Sequence, residues 1–356
     1  MPRLSLLDPT KTGKHAQELE NKLRRLVVGQ DEAIREIVSV YQAHVAGLCP
    51  SGRPIGNFLF LGPTGSGKTR MVEATAEALL GDSQAVIKVD CAEFQHSHEI
   101  AKLVGSPPGY LGHRETRALL SQETLNQHHT EKTKISLVLF DEIEKASDAL
   151  WNLLLGILDK GVLTLGDNRR VDFSSTMVFM TSNLGASQIA AVSGPKLGFH
   201  APPSATDAAR QELDGRMSLI GVAAARRNFT PEFMNRLDKV VVFKPLGGDE
   251  LNRIINIELD MVQERIHSAG KSFAISVTES ARALLLTEGT DFRYGARHLK
   301  RAIERLLVQP LANLVASGQI RRGDAIRVSH QEGTASLTFF CEAHAQEAWG
   351  VTSLAA

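Results

Sequence analysis

The sequence has few cysteines, no long apolar run and no net charge. Its three cysteines, Cys49, Cys91 and Cys341, are far apart and lack the spacing of metal ligands, which argues against a disulfide scaffold or a zinc site. The purely apolar runs are short, as at Leu137–Phe140, and cannot cross a bilayer. Forty Lys and Arg residues balance forty Asp and Glu residues, which argues against an extended polybasic binder of nucleic acid.

The remaining composition is that of a folded protein. Hydrophobic residues make up 43% of the 356 residues and charged residues 22%, which is enough apolar material for a sizeable core. Residues 1–8 lack the sustained apolar stretch of a signal peptide. We therefore expect a cytoplasmic protein without a membrane partner. Its length predicts two domains, or one large domain with an appendage.

Five short apolar runs alternate with helical patterns in the first two thirds of the chain. They lie at 58–61, 85–89, 135–140, 177–180 and 239–243. Near-continuous apolar strands separated by helices are typical of a parallel sheet that is covered on both faces. The pattern predicts an α/β domain of the doubly wound kind. A helix at 31–48, with an apolar stripe that ends at Leu48, is predicted before the first strand.

A turn-rich segment at 244–248 predicts a domain boundary. Residues 1–245 would form the large domain. Residues 246–342 show mostly helical patterns and would form a smaller domain, and residues 343–356 would form a flexible tail.

The segment Gly62–Thr69 fits the pattern G-x-x-x-x-G-K-[ST] at every fixed position, between a predicted strand and a predicted helix at 68–80. Backbone N–H groups of such a loop wrap a phosphate, and the helix N-terminus adds partial positive charge. We expect Lys68 to neutralise the β- and γ-phosphates and Thr69 to offer its hydroxyl to Mg²⁺. The alternative, a glycine turn that binds nothing, is disfavoured by the complete pattern in this context. The predicted nucleotide-binding residues of the loop are Pro63, Thr64, Gly65, Ser66, Gly67, Lys68 and Thr69.

Two carboxylates, Asp141 and Glu142, follow the apolar run at 135–140. Acids at the tip of a buried strand are costly unless a cation or hydrogen bonds compensate them. We expect Asp141 to hold Mg²⁺ through its water shell and Glu142 to orient and polarise the attacking water. The alternative is that both acids only begin the next helix, where acidic residues are favoured. The phosphate loop in the same chain favours the catalytic interpretation.

Five further motifs accompany the phosphate loop and the acidic pair. In order and spacing, the set resembles the second ATPase module of the Clp-type AAA+ unfoldases and disaggregases (ClpA, ClpB and ClpC), here as a single-ring short form. The resemblance runs from about residue 18 to residue 340. It implies a five-stranded parallel αβα domain that binds ATP, a helical lid, and assembly into a hexameric ring. The motifs are Val27–Gln30, Gly109–Gly112, Met180–Gly185, Phe229–Asp238 and Tyr294–Arg301.

The resemblance implies a role for three residues around the nucleotide. Val27 and Val28 would flank the adenine. Asn183 would be a polar sensor between Glu142 and the γ-phosphate. Considered alone, Asn183 would be a turn residue at a strand end, and only the other motifs favour the sensor role.

The resemblance also implies that two arginines act on the γ-phosphate. Arg236 resembles the arginine finger, which stabilises transition-state charge in the site of a neighbouring subunit and therefore requires an oligomer. The alternative is a surface salt bridge of Arg236 with Glu232 or Asp238. Arg297 resembles the second sensor arginine of the lid, which would couple hydrolysis to lid rotation. An arginine at a helix start is otherwise simply solvated.

Tyr110 and Leu111 lie between glycines in a predicted loop. The resemblance implies that this tyrosine lies in the central pore, where it would grip unfolded or tagged protein clients regardless of their sequence. The alternative is an aromatic side chain folded back on the core. Residues His113–Ala118 depart from the family, which usually has a Glu-Gly-Gly stretch after the pore loop.

The tripeptide Leu197, Gly198 and Phe199 lies in a segment rich in glycine and proline. Clp unfoldases that work with a peptidase have a similar tripeptide, which docks in clefts of the Clp-type peptidase. Two interpretations stay open, because Leu197 and Phe199 would either dock in this way or pack under their own loop. The family's N-terminal substrate-binding domain does not fit before Gln17, so we expect an adaptor or the ring itself to select substrates.

Three functions follow from these motifs. The first is an ATP-dependent protein unfoldase or translocase that threads polypeptide through a hexameric pore, with or without a peptidase. The second is an AAA+ remodeller of DNA or of a nucleoprotein, against which Tyr110 and the zero net charge count. The third is a scaffold that binds nucleotide without turnover, which the set Glu142, Asn183, Arg236 and Arg297 disfavours.

Overall fold

The structure is a computed structural model that describes residue 8 and residues 11–106, 118–193, 207–289, 296–331 and 333–342. The chain divides into two compact units, Met1–Pro245 and Leu246–Ala356. Within the described ranges, no helix has both the length and the apolar composition that a membrane span requires.

The first unit contains a parallel sheet, a short hairpin and the helices around them. Its strands are β1 (Gly56–Leu61), β2 (Ile87–Asp90), β3 (Ser136–Asp141), β4 (Val162–Thr164), β5 (Arg170–Asp172), β6 (Thr176–Ser182) and β7 (Lys239–Val242). Its helices are α1 (Lys14–Leu26), α2 (Asp31–Val45), α3 (Lys68–Leu80), α4 (Ala101–Val104), α5 (Gln122–Asn126), α6 (Asp148–Lys160), α7 (Ala186–Ser193), α8 (Asp207–Asn228) and α9 (Pro231–Met234).

The five-stranded sheet has the order β2-β3-β6-β1-β7, and all its strand pairs are parallel. This arrangement confirms the predicted parallel α/β sheet. Phe58 of β1 lies beside Phe179 of β6 on one side and Lys239 of β7 on the other. Because parallel strands end at one edge of a sheet, the segments that follow β3, β6 and β1 lie side by side there, where ligands bind in open α/β sheets.

Apolar clusters cover both faces of this sheet. Side chains alternate along a strand, so Phe58 and Phe60 pack in a cluster with α1, α2 and α3, whereas Leu59 and Leu61 pack in a second cluster that includes α6 and α8. The ring of Phe58 stacks on that of Phe179 at 4.9 Å. Every residue of β1 is buried, as expected for a strand covered on both faces.

Two of the predicted boundaries that differ from the structure have a clear local cause. β2 begins at Ile87 rather than at residue 85, because the Val86 N–H donates to the Gln84 carbonyl oxygen at 2.7 Å in a turn. α2 ends at Val45 rather than at residue 48, since Gly47 adopts a φ of 69°, a conformation that ends helices. The prediction that Leu48 belongs to the apolar stripe was wrong, because this residue lies beyond the helix and is 79% exposed.

The second unit is mostly helical and has a small sheet of its own. Ile255, Leu285 and Leu299 are buried in its separate core. β9 pairs with β10 in antiparallel and with β8 in parallel orientation. The elements are α10 (Gly248–Ser268), β8 (Ala274–Val277), α11 (Glu279–Gly289), α12 (Ala296–Ile303), a π-helical segment (Glu304–Val308), α13 (Gln309–Ala316), β9 (Ala325–His330) and β10 (Leu337–Glu342).

Candidate nucleotide site

The predicted phosphate loop joins the end of β1 to the start of α3. Gly62, Gly65 and Gly67 have φ angles of 139°, 77° and 100°, which residues with a side chain rarely adopt. A Cβ atom at Gly62 would lie 2.5 Å from the carbonyl oxygen of Phe243, so only glycine fits there. No side chain caps the start of α3 at Lys68, and the first N–H groups of a helix favour an anion.

The other residues of the loop contribute polar contacts and hydroxyl groups. Ser66 Oγ donates to the carbonyl oxygen of Pro63 at 2.8 Å, which closes the loop on itself. Thr64 Oγ1 donates to Asn183 Oδ1 at 3.4 Å. Thr69 is half-buried in the first turn of α3.

Lys68 is 8% exposed, and its ammonium group lies over the loop. Nζ donates to the carbonyl oxygens of Gly62 at 2.7 Å and Pro63 at 2.9 Å, and to Asn183 Oδ1 at 2.9 Å. An ammonium group has three donors, and three oxygens surround it here. The positive charge is therefore fixed beside the N-terminus of α3, where both favour phosphate.

Asp141 is the last residue of β3, and Thr181 of the adjacent β6 fixes its carboxylate. Thr181 Oγ1 donates to Asp141 Oδ1 and accepts the backbone N–H of Glu142 at 3.1 Å. Burial foremost, and then the charge of Asp141, raises the pKa of the buried Cys91 thiol. A thiol with a raised pKa is a poor nucleophile.

Glu142 adopts a left-handed backbone conformation with a φ of 55°. Such a conformation is uncommon for a residue with a side chain, and it clusters at functional sites. Glu142 Oε2 forms an ion pair with Lys145 Nζ at 2.5 Å. Because of this hydrogen bond, the pKa of Lys145 is raised. β3 ends at Asp141 and a 3₁₀ helix begins at Ile143, so Asp141 belongs to the strand and Glu142 caps the short helix that follows.

Asn183 follows β6 and connects the phosphate loop to Glu142. Besides accepting from Lys68, its carboxamide donates through Nδ2 to Glu142 Oε1 at 3.3 Å. Its backbone N–H donates to Glu144 Oε1 at 3.1 Å. The structure thus brings together Lys68, Glu142 and Asn183, which belong to three different motifs of the sequence.

Thr181 and Glu144 were not identified from the sequence. Thr181 lies within an apolar strand, and Glu144 lies in the turn after the acidic pair. The second carboxylate oxygen of Glu144 is buried and has no hydrogen-bond partner within the described ranges. The signal for Thr181 is its place in the motif Met180–Gly185, and that for Glu144 is its closeness in sequence to Asp141.

Gln30 is a second connection that sequence reasoning missed. Val27 and Val28 follow α1 and are buried, with 6% and 5% exposure, and Gln30 is 4% exposed. Gln30 Nε2 donates to the carbonyl oxygens of Ser66 and Lys244, at 3.0 Å each. The predicted adenine-flanking segment is therefore hydrogen-bonded to the phosphate loop. Its sequence signal is the polar residue that ends Val27–Gln30.

Arg236 lies between α9 and β7, and its side chain is 22% exposed. Its guanidinium group contacts Glu232 Oε1 at 2.9 Å and Asp159 Oδ2 at 3.6 Å. The salt bridge with Glu232 is one of the two alternatives weighed against the finger. Among the described residues, Asp238 forms its ion pair with Arg53, at 3.6 Å, and not with Arg236.

The remaining candidates lie elsewhere in the chain. Arg297 lies exposed in the first turn of α12, in the second unit. Tyr110 and Leu111, and the tripeptide Leu197, Gly198 and Phe199, lie outside the described residues.

The two residues predicted to hold Mg²⁺ have donor atoms that suit this ion. Asp141 and Thr69 offer a carboxylate and a hydroxyl oxygen, the hard ligands that Mg²⁺ prefers, and it usually keeps several waters. Thr181 holds the Asp141 carboxylate, as an outer-shell partner of a metal ligand does.

Comparison with known families identifies the class of protein. Residues 53–240 match the AAA domain (Cdc48 subfamily), and residues 246–328 match the C-terminal, D2-small domain of ClpB protein. The first match alone covers more than half of the chain. The chain therefore belongs to the Clp-type AAA+ family, which confirms the family and the fold that the motifs indicated.

Individual relatives are similar over most of this chain. Chaperone protein ClpB of Bdellovibrio bacteriovorus is 37% identical over 321 residues, which are 90% of this chain and 34% of the relative. The negative regulator of genetic competence ClpC/MecB of Bacillus subtilis is 37% identical over 93% of this chain and 38% of its own length. A closed-state cryo-EM structure of Hsp104 with ATPγS and FITC casein matches with a TM-score of 0.74 and 30% identity, over 92% of this chain and 52% of that chain. The chain thus spans about a third of the length of these curated relatives.

Proposed function

We propose that this chain is an ATPase that uses ATP hydrolysis to unfold proteins and to thread them through a ring of subunits. The observation that supports it is the hydrogen-bonded chain from Lys68 through Asn183 to Glu142. It joins a cation suited to phosphate with a carboxylate suited to a water molecule. A scaffold that binds nucleotide without hydrolysing it would not need the hydrogen bond between Asn183 and Glu142.

The residues of the site have distinct roles in the proposed reaction. The N–H groups of the phosphate loop and Lys68 bind the phosphates of ATP and neutralise charge on the transferred group. Glu142 accepts a proton from the attacking water and orients it. Asn183 holds the Glu142 carboxylate in position relative to the γ-phosphate. Mg²⁺, held by Thr69 and through water by Asp141, would add charge stabilisation.

The residues that flank the adenine and two arginines complete the proposed site. Val27 and Val28 flank the adenine. Arg236 acts on the γ-phosphate of a neighbouring subunit, for which it must leave its ion pairs with Glu232 and Asp159. This trans role requires an oligomer, which we infer to be a hexamer of this chain. Arg297 reports the γ-phosphate to a lid formed by residues 246–342.

The proposed substrate is unfolded polypeptide. Hsp104, which is similar over 92% of this chain, was solved with ATPγS and FITC casein, and we infer that this chain likewise binds ATP and a polypeptide client. Tyr110 and Leu111 would grip the client in the pore. A Clp-type peptidase that binds the segment around Phe199, and an adaptor, are further proposed partners.

This proposal is tested by measuring ATP hydrolysis and the unfolding of a protein client separately. We expect the purified chain to hydrolyse ATP and to unfold a tagged model protein in an ATP-dependent manner. Tyr110→Ala should abolish unfolding and leave the basal ATPase largely intact, because grip and chemistry use different loops. Equal loss of both activities would point to a structural role for Tyr110. ATP turnover without any action on protein clients, together with salt-dependent DNA binding, would favour the nucleoprotein remodeller instead.

A further inference from the structure

Asn57 is a fully buried polar residue in the otherwise apolar strand β1. It is 0% exposed, as are the four hydrophobic residues Phe58–Leu61 that follow it. Burying a carboxamide is unfavourable unless it forms hydrogen bonds. Its hydrogen bonds therefore indicate which neighbours it holds in place.

Both N–H bonds of the Asn57 carboxamide are used. Nδ2 donates to the carbonyl oxygen of Leu158 at 3.2 Å and to that of Arg236 at 3.1 Å. Oδ1 is buried without a hydrogen-bond partner in the part of the chain that the structure describes. Because the NH₂ group is the only donor of a carboxamide, the two carbonyl oxygens fix its orientation.

The two carbonyl groups lie next to an ion pair between Arg236 and Asp159. Leu158 lies in the last turn of α6, where carbonyl groups lack partners within the helix. The next residue, Asp159, contacts the guanidinium group of Arg236 at 3.6 Å. The second carbonyl group is that of Arg236 itself. Asn57 thus holds the backbone on both sides of the Arg236–Asp159 pair.

Backbone contacts join the same segment to the start of β1. The Asn57 N–H donates to Asp238 Oδ2 at 2.8 Å, and the Asp238 N–H donates to the Asn57 carbonyl oxygen at 2.9 Å. Arg53 contacts the other oxygen of Asp238 at 3.6 Å and donates to the Arg236 carbonyl oxygen at 3.5 Å. The turn that contains Arg236 is therefore fixed to the sheet at several points.

We propose that Asn57 is a positioning residue for Arg236 as the arginine finger. It holds the turn between α9 and β7 in the conformation from which the guanidinium group reaches a neighbouring subunit. This inference rests on the proposed trans role of Arg236. It follows that loss of Asn57 impairs the site that a subunit completes in its neighbour and leaves the subunit's own phosphate loop competent.

Asn57→Leu tests this role, because leucine fills a similar volume without forming hydrogen bonds. Ser136→Ala is the matched control, since Ser136 is buried at the start of β3 and its hydroxyl donates to the carbonyl oxygen of Leu125 at 2.8 Å. We expect Asn57→Leu to lower ATP turnover about tenfold or more while nucleotide affinity changes less than about threefold. Ser136→Ala should keep turnover near that of the wild type.

Mixing subunits separates a misplaced finger from a damaged fold. Asn57→Leu subunits have an intact phosphate loop, and Lys68→Ala subunits have an intact finger. Because each site in a ring lies between two subunits, about one site in four is complete in a random equimolar mixture. We expect the mixture to regain ATPase activity that neither variant has alone. Wild-type turnover of Asn57→Leu, or a loss that mixing does not restore, would overturn the role of Asn57.

A parallel mixture of Arg236→Ala with Lys68→Ala tests the trans role of Arg236 separately from the positioning role of Asn57. If neither mixture regains activity, the trans role of Arg236 is wrong, and the role of Asn57 fails with it. If only the Arg236→Ala mixture regains activity, the role of Asn57 alone is wrong. Should Asn57→Leu not fold, Asn57→Ser, which is smaller and has a single donor, is measured with the same expected pattern.

Discussion

The ammonium nitrogen of Lys68 lies 2.9 Å from the carboxamide oxygen of Asn183. The other end of that carboxamide donates to Glu142 at 3.3 Å. An ammonium group only donates and a carboxylate only accepts, so a carboxamide between them has one favourable orientation. Asn183 therefore fixes the distance between Lys68, which we propose to bind phosphate, and Glu142, which we propose to activate water. Changes at these residues should affect turnover more than folding.

Glu142→Gln should bind ATP but hydrolyse it at least about a hundredfold more slowly than the wild type, because an amide cannot accept the proton of the attacking water. We also expect the ring to stay locked on its client. Fluorescence titration measures nucleotide binding, and phosphate release measures turnover. Glu20→Gln is the control, since Glu20 is paired with Arg24 on the surface of α1. Turnover of Glu142→Gln at the wild-type rate would show that this carboxylate is not the base.

Asn183→Ala should lower turnover about a hundred- to a thousandfold, the range found when a positioned hydrogen-bond donor is lost. Nucleotide affinity should fall much less, because Lys68 keeps its contacts with the loop carbonyl groups. Steady-state kinetics and nucleotide titration give the two quantities separately. The control is Asn228→Ala at the exposed end of α8, whose carboxamide donates to the Ala224 carbonyl oxygen at 2.9 Å, far from the phosphate loop in sequence. A loss explained entirely by weaker nucleotide binding would contradict the sensor role.

Gln30→Glu should destabilise the first unit and weaken nucleotide binding. The substitution replaces the Nε2 donor with an oxygen that faces the carbonyl oxygens of Ser66 and Lys244. A buried polar group left without its partner costs about 1–3 kcal/mol of the free energy of unfolding. Urea denaturation and nucleotide titration measure the two effects, with Gln188→Glu on the exposed face of α7 as the control. Unchanged stability would mean that the local structure accommodates the new charge.

The turn between β4 and β5 supports the segment that leads to Tyr110. The Gly166 N–H donates to the Val104 carbonyl oxygen at 2.8 Å, and a Cβ atom at Gly166 would lie 2.5 Å from the Gly105 carbonyl oxygen. Gly166→Ala should therefore displace the start of the predicted pore loop. We expect unfolding of a tagged model protein to fall several-fold more than the basal ATPase.

Gly215→Ala in α8 is the control for this substitution, because a Cβ atom there meets nothing within 4 Å. Both activities should be retained in the control. If Gly166→Ala lowered ATPase and unfolding equally, the β4–β5 turn would support the fold as a whole rather than the pore loop.

The sequence was sufficient to predict the sheet and the residues at its edge. The phosphate loop and the pair Asp141 and Glu142 are short motifs, and a parallel sheet brings the ends of its strands to one edge. Asn183 follows β6, which lies between β1 and β3. The segments that follow these three strands therefore meet at one edge, and local sequence patterns are enough to predict this.

The contacts that hold these residues depend on tertiary structure. Gln30 reaches Lys244, which is 214 residues away, and no local pattern indicates such a pair. Arg236 was compared only with charged residues near it in sequence. The structure adds Asp159, brought to it by the end of α6. Sequence periodicity identifies elements, whereas ion pairs between elements depend on how those elements pack.

The segment that contains Leu197 and Phe199 lies outside the described residues, so its docking stays a prediction from the sequence. Two bulky apolar side chains lie there among residues that disfavour regular structure, Gly194, Pro195 and Gly198. Burying each of them in a partner is worth about 1.5–3 kcal/mol. A ring would repeat this weak contact, and several simultaneous contacts would give useful avidity if the geometry allows them to engage together.

Leu197→Ser combined with Phe199→Ser should abolish binding of a Clp-type peptidase and degradation of a tagged client, while ATP hydrolysis and unfolding persist. Pull-down with the peptidase and a degradation assay measure the first pair of activities, and phosphate release and client unfolding measure the second. Leu219→Ser is the control, because Leu219 is a 73% exposed leucine on α8. If the double variant misfolds or loses ATPase activity, the two side chains belong to the protein's own core. If it degrades clients normally, or if the wild type binds no peptidase, the chain acts as a chaperone without a peptidase.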